Sequence, residues 1–137
     1  MRTEDGKSER EKDRIRQLLE NVYVRDMYMK TTREALSREF DDVFHMLVPE
    51  IDWRSNEILS LRWDGLGQLR ANHPKAVDPE MRFAFPLIDV VGDAAVARVD
   101  VYRGERHVYS DYVSLYRVQG AWRLVSKVYH AHLAAGP

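Results

Sequence analysis

The stretch Val108–His130, VYSDYVSLYRVQGAWRLVSKVYH, holds two runs in which apolar and polar residues alternate, broken by Gln119-Gly120. Alternation with a period of two is the pattern of a strand that buries one face, and a short Gly-containing break between two such runs predicts a hairpin. The two strands are predicted over His107–Val118 and Ala121–His132. Upstream, Met81–Val91 and Ala94–Arg103 read as two more strands, joined at Val91-Gly92-Asp93 and followed by a turn at Gly104. Pro86 has no backbone donor, which places its strand at a sheet edge or a bulge. The C-terminal half is therefore predicted to be a four-stranded antiparallel meander.

The N-terminal half reads differently. Ile15, Leu18, Leu19, Val22, Asp26 and Met29 follow helical spacing, and Ser8 with Glu11 fits a capping box. Thr31 with Glu34 fits a second box, ahead of a stripe of Leu36, Phe40, Val43, Phe44 and Leu47 that Pro49 closes. Ile51–Trp63 is expected to hold one short strand or two. Asp64 is placed to cap a third helix from about Gly65 to Asn72, with Pro74 behind it. Three helices followed by a run of strands predict an α+β fold. The expected organisation is a flexible N-terminal arm (1–10), a single domain (11–133) and a short tail (134–137).

Composition narrows the function classes. The chain has 137 residues, 21 basic against 22 acidic, and a formal charge of −1, which argues against a dedicated nucleic-acid surface. Cysteine is absent, so disulfides, thiolate catalysis and Cys-ligated metal sites are excluded. No apolar run is long enough for a membrane span, and MRTEDGKSEREKDR has the mixed charge of neither a signal nor an anchor. A cytoplasmic protein is expected. All fourteen aromatic residues lie between Tyr23 and Tyr129. A curved sheet covered by helices on one side leaves a cone-shaped pocket, and aromatic side chains suit its walls.

Asp111, Tyr112, Leu115, Gly120, Trp122, Lys127, Tyr129 and His130, with the preceding VVGDAAVARV, resemble the C-terminal hairpin of the nuclear-transport-factor-2-like (NTF2-like) superfamily. The likeness is greatest to the SnoaL-like or lumazine-binding-like branch. It implies an NTF2-like cone, with three N-terminal helices packed on a curved antiparallel sheet, and a homodimer formed through the sheet. The superfamily includes isomerases, dehydratases, epoxide hydrolases, cyclases and non-catalytic binders, so the fold does not decide the function.

Parity along the strands sorts the remaining candidates. Leu124, Ser126, Val128, His130 and His132 fall on one face of the last strand, and Arg123, Val125, Lys127, Tyr129 and Ala131 on the other. On the strand before, Ser110, Tyr112, Ser114 and Tyr116 oppose Tyr109, Asp111, Val113 and Leu115. His130 is taken to face the pocket opening as acid, base or hydrogen-bonding group, and Lys127 to face a dimer partner or solvent. Asp26 interrupts an apolar stripe, as either a helix-end cap or a pocket carboxylate. By resemblance, Tyr23 matches the oxyanion-donating helix-one tyrosine of the superfamily's ketosteroid isomerases. Asp52 loosely matches their general base, and Ser114 falls where their second oxyanion carboxylate would be. Arg98 and Asp100 resemble part of an epoxide-hydrolase site, but Lys127 stands where its second aspartate would be.

The expected catalytic set is thus Tyr23, Asp26, Asp52 and His130. The expected binding wall is Trp53, Trp63, Phe83, Phe85, Tyr112, Ser114 and Tyr116. His130 and His132, even with His45 or His107, make an incomplete metal site, so neither metal nor cofactor is expected. The leading functional expectation is a cofactor-free isomerase or lyase that moves a proton on a small hydrophobic or aromatic substrate. A non-catalytic ligand-binding protein is the first alternative. A protein-association domain using the face of Lys127, Tyr129 and Val113 is the second. Neither nucleic acid nor membrane is an expected partner.

Overall fold

The computed structural model describes residues 2–29, 37–71 and 79–132. Helix α1 (Arg2–Leu18) runs on through two π-helical turns, Leu19–Tyr23 and Arg25–Met29. Strand β1 (Phe40–Ile51) and strand β2 (Ile58–Gly65) follow, then the short helix α2 (Leu66–Ala71). Strands β3 (Met81–Val91), β4 (Ala94–Arg103), β5 (Arg106–Val118) and β6 (Ala121–Ala131) complete one six-stranded sheet in the order β2-β1-β6-β5-β4-β3. All neighbours are antiparallel except β1 and β6, which run parallel.

The C-terminal meander forms as the sequence predicts, with boundaries shifted by at most a residue. Gln119 and Gly120 both take positive φ (52° and 80°), the conformation a two-residue hairpin turn requires. β3 is an edge strand, and its register slips between Ala84 and Leu87, so Pro86 sits at a bulge on an edge.

The predicted second helix is not one. Phe40–Ile51 is strand β1, so two helical elements are present among the described residues where three were expected. Phe40 and Phe44 are both buried, and a spacing of four satisfies either period. What decides is pairing: β1 gains ladders on both edges, with β2 and β6. Ser8 lies inside α1 and does not cap it, because the helix starts at Arg2. Asp64 does not cap α2 either; Arg62 Nε donates to it at 2.8 Å, and the Gly65 amide is taken by Gln68 Oε1. The Thr31–Glu34 box, Leu36 and Pro74 lie outside the described residues.

One face of α1 covers the sheet. Ile15, Leu19 and Tyr23 pack on Val99, Val101, Val113, Leu115 and Leu124, all essentially inaccessible. Burying each such aliphatic side chain is worth about 1.5–3 kcal/mol. Buried Glu11 ties the helix to the last hairpin, accepting from Trp122 Nε1 and pairing with Arg117 Nη1 at 3.2 Å.

A bulge in β6 corrects the assignment of faces. Leu115 pairs with Leu124 but Ser114 pairs with Ser126, which leaves Val125 as an extra residue. One inserted residue reverses the parity of everything beyond it. Trp122 and Leu124 therefore share the helix-covered face with Lys127 and Tyr129, while Ser126, Val128 and His130 point to the outer face. Lys127 is 4% exposed beneath Tyr23 and Tyr28 of the π-helical turns, so it is neither a surface nor a partner-facing lysine. No helix among the described residues is long and apolar enough to cross a membrane.

Candidate functional site

The last β1–β6 pair is Met46 with Lys127. Beyond it the two strands part, and a cavity of about 570 Å³ opens between them. Pro49, Ile51 and Trp53 line one side, and Tyr109, Tyr129 and His132 the other, with Glu50 and Arg106 also in the wall. Pro49 lies past that last pair, where its missing N–H breaks no bond to β6. The volume suits a small organic ligand, and the Tyr109 and Tyr129 rings, edge to face at 5.7 Å, give it a rigid apolar wall.

Directly behind that wall is a buried polar cluster. Asp111, fully inaccessible, accepts on Oδ2 from Tyr23 Oη at 2.7 Å and Tyr28 Oη at 2.5 Å. Lys127 Nζ lies 3.3 Å from the same oxygen and donates to Tyr28 Oη at 3.2 Å. The ammonium also stands over the rings of Tyr23, Tyr28 and Tyr129 at 5.6, 5.0 and 5.2 Å. Among the described residues, Asp111 Oδ1 has no hydrogen-bond partner.

The π-helical turns bring both tyrosines to one carboxylate. Five residues along an α-helix turn a side chain about 140° away from its starting face. The wider i→i+5 winding of a π-helix brings it back. Tyr23 and Tyr28 are five apart in these turns, and both hydroxyls reach Asp111.

Burial, then the adjacent Asp111 charge, push both phenols well above their ordinary pKa, so both remain hydrogen-bond donors. Burial pulls the Lys127 ammonium down, and Asp111 pulls in the opposite direction without cancelling it.

A second network lies on the outer face. Arg98 forks onto Asp100 (Nε to Oδ1 3.1 Å, Nη2 to Oδ2 3.0 Å), and Ser110 Oγ donates to Asp100 Oδ1 at 3.2 Å. Ser110 Oγ also meets Nε2 of His107 at 3.1 Å and of His132 at 2.8 Å, and those two rings stack at 4.0 Å. No group of three or more metal-ligating residues among those described is placed to hold an ion.

The residues singled out from sequence disperse. Tyr23 is spent on Asp111. Asp26 is buried and holds the Ser37 amide at 2.8 Å and Arg25 Nε at 3.0 Å. Asp52 makes the β1–β2 turn, accepting from the Arg54 amide at 2.8 Å. His130 is exposed on the outer face beside His132. Trp53, 79% exposed, stands at the cavity rim. Phe83 and Phe85 pack under the helix, Phe83 against Tyr28 at 5.5 Å between centroids. Trp63, Tyr112, Ser114 and Tyr116 sit on the outer face, away from the cavity.

Tyr28 and Tyr109 are residues that sequence reasoning passed over, and Asp111, Lys127 and Tyr129 it did not place in the site. The signal was present for four of them: Tyr109 and Asp111 share a face on one strand, and Lys127 and Tyr129 share one on the next. Parity could not say which face α1 would cover.

A long helix laid across a curved six-stranded sheet, with a cavity where β1 and β6 part, is the architecture of an NTF2-like protein. The chain belongs to the family described as "Putative lumazine-binding", whose model matches residues 4–130. Solved NTF2-like proteins of unknown function are similar to it. One from Silicibacter pomeroyi DSS-3 is 26% identical over 88% of this chain and 94% of its own, with a TM-score of 0.65. One from Methylobacillus flagellatus KT is 27% identical over 88% and 91%, also at 0.65. One from Shewanella baltica OS155 is 30% identical over 72% and 77%, at 0.54. No curated protein matches the chain.

Proposed function

We propose that the chain is a small-molecule-binding protein whose ligand, flat and largely apolar, lies in the cavity against Tyr109 and Tyr129. The carrying observation is that cavity of about 570 Å³, walled by aromatic rings where β1 parts from β6. The family's description supports small-ligand binding. Binding without turnover is favoured over proton-transfer catalysis because Tyr23, Asp26, Asp52 and His130 do not meet at one point. A general acid–base pair has to reach a common substrate atom. Native mass spectrometry of freshly purified protein, with identification of any retained molecule, tests the reading. Retention by the wild type and its loss in Tyr129→Ala is the expected result; retention unchanged in Tyr129→Ala overturns it.

The proposed assembly is a homodimer through the outer sheet face. Trp63 and Leu47 are paired, Val128 and Tyr112 are paired, and together they carry an apolar row across four strands. Leu61, Trp63, Tyr112, Tyr116 and Val128 are all exposed in the single chain, and a contiguous apolar patch of that kind marks an association surface.

A further inference from the structure

We propose that the cavity selects an aromatic monocarboxylate, with its rings against Tyr109 and Tyr129 and its carboxylate held by the Arg106 guanidinium. The inference rests on the cavity being a ligand site and assigns the charge that the site prefers. Apart from the tyrosines, Glu50, Arg106 and His132 are the ionisable side chains of the wall. Glu50 is engaged from β2, where Arg62 Nη1 lies 3.4 Å from its Oε1. His132 Nε2 meets Ser110 Oγ at 2.8 Å. The Arg106 guanidinium has neither a side-chain hydrogen bond nor an ion pair among the described residues. The one charge in the wall without a partner is therefore positive.

A lone exposed arginine would be ordinary, but its surroundings add to the same sign. Arg103 stands opposite Arg106 across the β4–β5 ladder, and like charges so placed repel. The ring neighbours of His132 are His107 at 4.0 Å and His130 at 4.8 Å, neither of which supplies an anion. Asp100, 3.5 Å from His107 Nε2, is already forked by Arg98. The chain as a whole carries a formal charge of −1, so this positive bias is local to the cavity rim. A guanidinium offers parallel N–H groups that fit the two oxygens of a carboxylate. One unpaired guanidinium matches one negative charge, whereas a phosphate dianion calls for a second cation. A carboxylate lying in the plane of an aryl ring lets the ring rest on the tyrosines while its head group turns to Arg106. A cavity of about 570 Å³ accommodates a fused-ring body with such a head.

Isothermal titration of the full chain with 2-naphthoate and with 2-naphthamide, its uncharged isostere, tests this near neutral pH. The carboxylate is expected to bind at least about tenfold tighter, by a margin that shrinks as salt is raised. Arg106→Gln is expected to abolish the preference and leave the amide's affinity unchanged. Arg16→Gln, which removes the same charge from an exposed position on α1, is expected to keep it. The salt dependence is read on the wild type and needs no variant to fold. Equal affinities for the two compounds, or a preference that survives Arg106→Gln, would overturn the assignment. Binding of neither, with the neutral dye N-phenyl-1-naphthylamine still taken up by the wild type and lost in Tyr129→Ala, would overturn it and leave the cavity reading standing. No uptake of the dye either would overturn both.

Discussion

Tyr23 and Asp111 are separated by 88 positions in the chain and by 2.7 Å between hydroxyl and carboxylate. The bond clamps the π-helical turn of the helix to the middle of β5. Tyr23→Phe keeps the ring and removes one donor from a buried charge. It is expected to lower unfolding stability by about 1.5–3 kcal/mol. Urea denaturation reads this directly, and an unchanged midpoint would mean that the hydroxyl contributes nothing.

Lys127 and Asp111 are a buried ion pair, their side chains 5% and 0% exposed. Removing one partner strands the other. Lys127→Met is expected to cost about 3–5 kcal/mol, and the double variant with Asp111→Asn less than the two single losses together. A double-mutant cycle that closes additively would contradict the pairing.

His132 makes stability depend on pH. Burial, then the neighbouring His107 and His130 and to a smaller degree Arg98, hold the His132 pKa below the usual imidazole value, against an opposing pull from Asp100. Folding therefore favours neutral His132. Its contribution is complete above the unfolded pKa of about 6.5 and is lost as pH falls toward the lower folded value. Melting temperature is expected to drop from pH 7 to pH 5.5, and to drop less in His132→Gln. An equal drop in both proteins would remove His132 from the account.

The outer sheet face gives a prediction on assembly. Light scattering is expected to show a particle of twice the 16.1 kDa chain mass at micromolar concentration, and Leu61→Glu combined with Val128→Glu to halve it. Both positions are exposed in the single chain, so the melting temperature of the released monomer reports separately on folding. A wild-type particle of single-chain mass would refute the dimer.

How much of this could be read from residues alone depends on the element. The four C-terminal strands were legible because alternation and turn residues agree there: Gly104 and Gly120 take positive φ where the turns were placed. β1 was not, because its identity is set in part by its ladder with β6, and nothing within Phe40–Ile51 announces a partner at the far end of the chain. The faces of His130 and Lys127 turned on a single position. Period-two counting is sound until an extra residue enters, and Val125 carries no mark of being the extra one. Counting across it moved His130 inward and Lys127 outward. Tyr28 was missed for the matching reason on the helix, where a 3.6-residue period was applied to a segment that winds wider.

The parallel ladder between β1 and β6 has a consequence for how the chain is made. During synthesis, helix α1 and β1 leave the ribosome long before the last hairpin exists. Leu124 is missing from the surface that Ile15, Leu19 and Tyr23 cover, and one edge of β1 has no neighbour, until residues beyond Ala121 have emerged. Contacts that span most of the chain slow folding and prolong the exposure of apolar segments. The N-terminal half is thus a holding state that waits for its final strand. Truncation within β6 is expected to yield aggregate in place of a smaller folded protein.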